Sequence, residues 1–304
     1  MREGINFKRV IVILLALVVA ESLVIVGMKL LKHSDKKPVE PHIPKRIVTL
    51  QKEILPPSIV SIQPQTNLED VLIEVAPIST EDVVSIDTPL VKPIIYTQTI
   101  KLSTLSIQEK KKRFIDMMLP SILVAKYRIT NDRIKVGALL QKEKLLPEES
   151  LWLKKKKYIF KAFSYDDLHE KMEVHPTSIV LAQAIIESGW GTSRFFEKAN
   201  NVFGVWSFKE NEKRIEASQK RGKKRVYLKK YASVEQSIFD YFIMLSTKKA
   251  YAEFREKRLE SNDPMELVEY LGRYSELGKA YIDNLKNTIE KNGLMVYDTY
   301  ALDI

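Results

Sequence analysis

The sequence predicts a mainly α-helical fold that carries one small β-hairpin, and three observations support this α+β class. From about Ser106 onward, apolar residues recur at helical spacing through several segments. Cap-forming pairs such as Ser164 with Asp167 stand where such segments begin. Between residues 205 and 231 the chain becomes polar and basic around Gly222 and then reads VYL, a pattern typical of a hairpin.

The N-terminal residues 1–37 contain an apolar segment with the length of a membrane-spanning helix. A basic start, an apolar stretch and the small residues Val18 and Ala20 also fit a cleavable signal. We predict an uncleaved anchor, because apolar residues resume at Leu23 after the candidate cleavage point. Either interpretation takes the rest of the chain out of the cytoplasm, so nucleic acid is not an expected partner.

Residues 38–105 differ in composition from the rest of the chain. They hold nine of the 13 prolines and no glycine. Proline at this density disfavours long helices and central strands, so the segment is predicted to be an extended, proline-rich linker. Short strands are expected only around the stretches VLIEV and KPIIYTQTI.

Composition limits the chemistry that the chain can carry. The protein has 304 residues, no cysteine, four histidines and a net charge of +10. Disulfides and cysteine-based zinc sites are therefore excluded, and we predict neither a metal site nor a cofactor. The positive charge favours a polyanionic partner, such as an anionic lipid surface or an acidic cell-wall polymer.

Residues 106–304 are predicted to form the folded domain. A first helix begins near Ser106 with an expected bend at Pro120, and a second begins at Pro147. Ser233 with Gln236 opens a later helix in the manner of Ser164 with Asp167. Further along, Asn262 or Asp263 before Pro264, and then Asn292-Gly293, bracket two more helices.

The stretch HPTSIVLAQAIIE is apolar on nearly all sides, so it predicts a buried helix that ends at Gly189. Gln183 and Glu187 lie four residues apart on one face of this helix. The helix dipole and desolvation near Trp190 should both raise the pKa of Glu187. A carboxylic acid that is still protonated near neutral pH suits general-acid cleavage of a glycosidic bond. The alternative is a carboxylate held by a buried arginine or by backbone amides.

Two stretches, AQAIIESGWGTSRF and NNVFGVWSF, resemble the signature of the glucosaminidase family, glycoside hydrolase family 73, which includes flagellar rod-cap and autolysin enzymes. The stretches KKKRFIDMMLPSILVAKYRI and LGRYSELGKAYIDNLKNTIEKNGL are similar to Bax-type members of this family. The resemblance covers residues 106–298. It implies a lysozyme-like helical domain that cleaves β-1,4 glycosidic bonds of peptidoglycan.

The resemblance also implies roles for individual residues. Glu187 takes the place of the catalytic acid. The predicted substrate-binding residues are Trp190, Asn201, Phe203, Gly204, Tyr274 and Tyr281. For Trp190, packing and a sugar-binding platform are both open, and Trp206 and Tyr231 are weaker candidates. A tyrosine can offer a sugar ring both a flat apolar face and a hydroxyl group.

The hairpin departs from the family pattern because it is mostly basic. Several relatives carry a second carboxylate there, and this hairpin offers Glu210, Glu212 and Glu216. Counted back from Tyr231, Glu216 lies nearest to the expected position, so it is the candidate second catalytic carboxylate. The substrate's own 2-acetamido group is the alternative.

The sequence therefore predicts an endo-β-N-acetylglucosaminidase of the cell envelope. It is expected to bind peptidoglycan glycan strands and to be anchored in the inner membrane facing the periplasm, or to be secreted if its N-terminus is cleaved. Two alternatives remain. One is a lytic transglycosylase, which also works with a single Glu. The other is a non-catalytic peptidoglycan-binding protein of the envelope.

Overall fold

The computed structural model describes residues 67–217 and 225–304, and residues from Asn67 onward form one compact unit. The predicted N-terminal anchor (1–37) and residues 38–66 of the predicted linker lie outside the described residues. Within the described part of the chain, no helix combines the length and the apolar character that a membrane crossing would need.

The described residues are mainly helical. The α-helices are α1 (Leu68–Val71), α2 (Ile107–Leu140), α3 (Pro147–Ile159), α4 (Tyr165–Lys171), α5 (Thr177–Ser188), α6 (Arg194–Ala199), α7 (Val234–Thr247), α8 (Ala252–Lys257), α9 (Pro264–Leu267) and α10 (Lys279–Lys291). Short 3-10 helices cover Thr80–Asp82, Leu102–Thr104, Lys249–Tyr251, Val268–Tyr274 and Leu294–Thr299. The strands are β1 (Ile73–Val75), β2 (Leu90–Val91), β3 (Ile94–Tyr96), β4 (Arg214–Glu216), β5 (Tyr227–Lys229) and β6 (Ala301–Leu302). The prediction of a mainly helical fold with a few short strands is confirmed.

The linker predicted over residues 38–105 is wrong for residues 67–105, which belong to the compact unit. Strands β1 and β3 pair in parallel, and β2 pairs in parallel with β6 near the C-terminus. The two short strands expected in this segment are therefore present. Prolines are tolerated because they flank the strands, and the carbonyl of Pro93 accepts a hydrogen bond from Ile73 N at 2.9 Å.

Helix α2 is the central element of the core. Ser106 caps its first turn by accepting a hydrogen bond from Glu109 N. Residues 107–140 form one helix that continues through Pro120, where the sequence predicts a bend. A proline inside a helix costs about 3 kcal/mol. The unbroken buried run from Phe114 to Ala125 supplies packing that offsets this cost.

Helix α5 packs against α2, α10 and the 3-10 segment Leu294–Thr299. Because its N-cap residue is Pro176, the side chain at that position makes no cap hydrogen bond. Asp298 supplies the missing acceptor: its carboxylate accepts from both the amide and the hydroxyl of Ser178, each at 2.7 Å. The C-terminal segment therefore fixes the start of the helix that carries Glu187.

The hairpin predicted between residues 205 and 231 is confirmed. Strands β4 and β5 are antiparallel, with Arg214 opposite Lys229 and Glu216 opposite Tyr227. A single bridge between Trp206 and Leu228 extends this pairing. The turn predicted around Gly222 lies outside the described residues.

Candidate active site

Glu187 lies in the last turn of α5, whose residues 177–185 are all buried. The helix ends as predicted, with Gly189 in the left-handed conformation at φ 59°. Trp190 and Gly191 continue in that conformation, at φ 58° and 71°. Three left-handed residues in a row turn the chain sharply beside Glu187.

Gly191 is required at this turn for two reasons. Its φ is unfavourable for residues with a side chain. In addition, a Cβ atom there would lie 2.7 Å from Leu102 Cδ1 and 2.9 Å from ring atoms of Phe114 and Phe196. The backbone is held by Ser188, whose hydroxyl donates to the Ala184 carbonyl and accepts from Gly191 N. The turn therefore holds the backbone of Glu187 in a fixed position.

Glu187 is partly buried. Burial raises its pKa to about 7, and a hydrogen bond from Tyr281 partly opposes that rise. Among the described residues, no lysine, arginine or histidine forms an ion pair with Glu187. The interpretation of Glu187 as a carboxylate held by a buried arginine is therefore not supported. Near neutral pH a large fraction of this group is protonated.

Tyr281 contacts the Glu187 carboxyl directly. Its hydroxyl donates to Glu187 Oε1 at 3.1 Å. Its ring stacks on Tyr274, with centroids 5.6 Å apart and planes 5° apart. Both tyrosines are more than nine-tenths buried. The structure thus brings Tyr281 to the candidate acid, while sugar contacts by either tyrosine stay a prediction.

The Asn-x-Phe-Gly element forms a tight loop between α6 and the hairpin. The amide of Asn201 bonds to three backbone groups: its Nδ2 donates to the carbonyls of Val205 and Lys229, and its Oδ1 accepts from Val205 N. Phe203 stacks on Tyr241 at 4.3 Å between centroids. Both side chains therefore support the loop, and their contact with substrate stays a prediction.

Trp190 packs its ring edge against Phe114, at 5.6 Å between centroids. Lys111 Nζ lies 4.8 Å from the centroid of the Trp190 ring. Both contacts agree with the packing interpretation, and the ring stays half-buried. Gly204 adopts φ 65°, which favours glycine in that loop.

The three acidic residues of the hairpin have different surroundings. Glu216 Oε1 lies 3.6 Å from Arg225 Nε, and 40% of its side chain is exposed. Glu212 accepts hydrogen bonds from Ser207 Oγ and Lys209 N, while Glu210 is exposed. No hydrogen bond links any of them to Glu187 within the described part of the chain. The weaker candidate Tyr231 donates to Asp240 at 2.6 Å.

Three buried polar residues that were not predicted as site residues connect to Glu187 through Tyr281: Gln183, Tyr241 and His175. Gln183 accompanies Glu187 on one helix face, a spacing visible in the sequence. His175 precedes Pro176 at the start of the same helix, and Tyr241 belongs to α7. Nothing in the sequence pairs these last two with the candidate acid, because the contacts depend on the packing of α7 against its neighbours.

Several known proteins and one protein-family model are similar to this chain. The sequence model of the family described as mannosyl-glycoprotein endo-beta-N-acetylglucosaminidase matches residues 162–294. Protein bax of Escherichia coli (strain K12) is 28% identical over 201 residues, which cover 62% of this chain and 71% of that protein. Exo-glucosaminidase LytG of Bacillus subtilis (strain 168) is 40% identical over 79 residues, which cover 24% of this chain and 28% of LytG.

Two solved structures are also similar. The catalytic domain of the autolysin Auto from Listeria monocytogenes has a TM-score of 0.35 and 18% identity, covering 55% of this chain and 96% of that domain. A peptidoglycan hydrolase from Sphingomonas sp. A1 has a TM-score of 0.32 and 22% identity, covering 48% of this chain and 85% of that structure. The family match includes Glu187 with the helix and turn around it, so residues 162–294 of this chain form a glucosaminidase-type domain.

Proposed function

We propose that this domain is an endo-β-N-acetylglucosaminidase that hydrolyses β-1,4 bonds of peptidoglycan glycan, with Glu187 as the general acid. The observation that carries the proposal is the partly buried Glu187 at the end of α5, whose pKa is raised to about 7 and which forms no ion pair with a cationic side chain among the described residues. A group with this pKa holds a proton at neutral pH and can still release it. The family match supports the reaction, and the peptidoglycan hydrolases named above support the substrate.

The contact with Tyr281 assigns different tasks to the two oxygens of Glu187. Oε1 accepts the Tyr281 hydroxyl, so Oε2 carries the acid proton. During the reaction this proton passes to the glycosidic oxygen while the bond from that oxygen to the sugar C1 breaks. The carboxylate that remains keeps the hydrogen bond from Tyr281, and that bond is stronger once its acceptor is charged. Tyr281 therefore stabilises the form of Glu187 that develops in the transition state.

The second half of the reaction needs a nucleophile at C1. Glu216 would activate a water molecule, which gives inversion, or the 2-acetamido group of the substrate would assist, which gives retention. The ion pair with Arg225 keeps a cation beside Glu216. If Glu216 is the base, Glu216→Gln should lose activity about as strongly as a Glu187 variant. A fall of less than about tenfold favours acetamido assistance.

This function places the protein in the cell envelope, where peptidoglycan lies. We propose a lysozyme-like arrangement of the helical domain and an N-terminal anchor that holds it near its polymer. A membrane partner for residues 1–37 belongs to this proposal alone. Fractionation of cells that express the full chain checks it, since an anchored protein stays with the membrane after washing with high salt.

The decisive experiment compares Glu187→Gln with the wild-type protein on purified murein. The variant keeps the shape of the side chain and removes the transferable proton, so cleavage should fall by about two to four orders of magnitude. The matched control is Glu290→Gln, an exposed glutamate on α10, which should cleave at the wild-type rate. Near wild-type cleavage by Glu187→Gln would contradict the proposal.

The products identify the bond that is cut. Mass spectrometry should find reducing N-acetylglucosamine ends on long glycan fragments, as an endo-acting glucosaminidase produces. Reducing N-acetylmuramic acid ends or 1,6-anhydro ends would contradict this bond specificity. Release of single disaccharides from chain ends alone would indicate exo action, the mode that the name of LytG states.

A further inference from the structure

Four buried side chains form a continuous hydrogen-bonded relay that ends at Glu187. The relay consists of Tyr281, Gln183, Tyr241 and His175, and each of these side chains is at most 3% exposed. They come from α10, α5, α7 and the residue before Pro176. A buried polar network is costly unless every member is paired, so a network of this length in an apolar core calls for an explanation.

All four links are within hydrogen-bond distance. Tyr281 Oη lies 3.1 Å from Glu187 Oε1, and Gln183 Nε2 lies 3.0 Å from Tyr281 Oη. Tyr241 Oη lies 2.5 Å from Gln183 Oε1, and His175 Nε2 lies 2.9 Å from Tyr241 Oη. The relay therefore connects the candidate acid to a histidine at the other end of α5.

The direction of the relay follows from counting protons. Tyr281 gives its single hydroxyl proton to Glu187, so its oxygen accepts from the amide of Gln183. The Gln183 oxygen in turn accepts the single proton of Tyr241. The Tyr241 oxygen is then left to accept from His175, which must carry its proton on Nε2. Every donor points toward Glu187.

The surroundings of His175 keep it neutral, as this direction requires. Burial first, and then the charges of Arg258 and Lys126, hold the pKa of His175 well below its usual value. Its Nδ1 has no hydrogen-bond partner among the described residues. A bare lone pair at that position is less costly than an unpaired N–H, which also favours the proton on Nε2.

The groups that face Glu187 are tyrosines. Those that interact electrostatically with its carboxyl are Tyr241, Tyr251, Tyr274 and Tyr281. They come from α7 and α10 and from the two 3-10 segments Lys249–Tyr251 and Val268–Tyr274. Within the described part of the chain, no cationic side chain contributes to the pKa shift of Glu187. The direct polar contact to the carboxyl is the relay's terminal hydroxyl.

We propose that Gln183, Tyr241 and His175 are positioning residues that fix the Tyr281 hydroxyl as a donor to Oε1 of Glu187 and thereby hold the acid proton on Oε2. This inference rests on the proposed function of Glu187. Each hydrogen bond in such a chain polarises the next, so the relay strengthens the bond from Tyr281 to the carboxylate. Breaking any one hydrogen bond of the relay should favour the protonated form of Glu187. The effect should be smaller the farther the broken bond lies from Glu187.

The experiment is a ¹³C NMR titration of the Glu187 carboxyl in the full chain, with the signal assigned by its loss in Glu187→Gln. Tyr281→Phe removes the donor itself and should raise the pKa of Glu187 by about one to two units. Tyr241→Phe keeps the ring that stacks on Phe203 and removes only the relay hydroxyl. It should raise this pKa by roughly 0.3 unit, because cooperativity supplies a fraction of each bond.

The matched control is Tyr96→Phe. It also removes a buried tyrosine hydroxyl that takes part in a hydrogen bond, from Val84 N, but it lies outside the relay. Its shift should be less than about 0.1 unit. Equal shifts in Tyr241→Phe and Tyr96→Phe, or no shift in Tyr241→Phe, would overturn the relay even if both variants lose stability.

A measurement on the wild-type protein tests the direction of the relay even where a variant does not fold. The ¹⁵N shifts of His175 should show a neutral ring with the proton on Nε2 from pH 5 to 9, and an Nδ1–H ring would overturn the proposed direction.

His175→Gln places an amide nitrogen near the position of Nε2 and should restore the Glu187 pKa that His175→Leu raises. The failures are separable: if Glu187→Gln remains active while Tyr241→Phe shifts the pKa, the general-acid role fails and the relay's action on the carboxyl stands.

Discussion

At the residue scale, the pKa of Glu187 depends on its own position at the end of a helix and on a side chain that is distant in sequence. Its position at the end of an apolar helix is visible in the sequence and predicts a raised pKa, and burial does raise it. The Tyr281 hydroxyl that opposes this rise comes from 94 positions further along the chain. Periodicity reports which face of a helix is buried, but it does not report which side chain of another helix meets that face. The acid was therefore predictable and its partner's contact was not.

This pKa predicts the pH dependence of the reaction. The acid must be protonated, and its pKa in the folded protein is raised from 4.5 to about 7. The active form is therefore present below pH 7 and is lost as the pH rises through 7. We expect kcat/KM on soluble peptidoglycan fragments to fall about tenfold per pH unit above this point. A profile that stays flat to pH 9, with circular dichroism showing an intact fold, would contradict the assignment.

At the element scale, the caps and turns were the most predictable features. Ser164, Ser233 and Asp263 each cap a helix with the side chain, as the sequence indicated. These signals are local, since a cap binds a backbone amide two or three residues away. The strands of residues 67–105 were harder to place, because β2 pairs with β6 from the other end of the folded unit. The proline content of residues 67–105 predicted an extended linker. The pairing of β2 with β6, which is distant in sequence, instead makes this segment part of the folded unit.

Substitutions of glycine test how much the turn after Glu187 contributes to the free energy of unfolding. Gly191→Ala places a methyl group in the left-handed region and against three apolar side chains, so we expect a loss of about 2–5 kcal/mol in the free energy of unfolding. Gly204→Ala is the control: its φ is also positive, at 65°, but nothing lies within 4 Å of the added Cβ. It should cost about 1–2 kcal/mol. Urea unfolding measures both, and equal losses would show that steric contact at Gly191 is unimportant.

At the scale of the whole molecule, the segment before α2 completes the core of the catalytic domain. Val91, Ile94 and Tyr96 are at most 3% exposed and belong to the same core cluster as the buried residues of α5. Asp116 of α2 accepts a hydrogen bond from Ile86 N, in addition to its ion pair with Lys112. Leu102 packs directly beside Gly191. The glucosaminidase match begins at residue 162, yet the described fold depends on Ile86, Val91 and Leu102, which lie well before that match.

A truncation series tests this dependence. A chain that begins at Asn67 should unfold cooperatively, because it retains the whole compact unit. A chain that begins at Ser106 loses eight buried apolar side chains, among them those of Val91, Ile94, Tyr96 and Leu102. Each of these four contributes about 1.5–3 kcal/mol by burial, and their sum alone approaches the 5–15 kcal/mol that holds a typical domain together.

We therefore expect the shorter chain to aggregate or to melt at least about 10 °C lower, since 1 kcal/mol shifts Tm by about 2–4 °C in a domain of this size. Thermal melts followed by circular dichroism, with size-exclusion chromatography to detect aggregation, compare the two chains. Murein cleavage should fall with the fold, because Leu102 supports the turn that holds Glu187 in place. A Ser106 chain that melts at the temperature of the Asn67 chain would show that residues 67–105 lie on the domain without stabilising it.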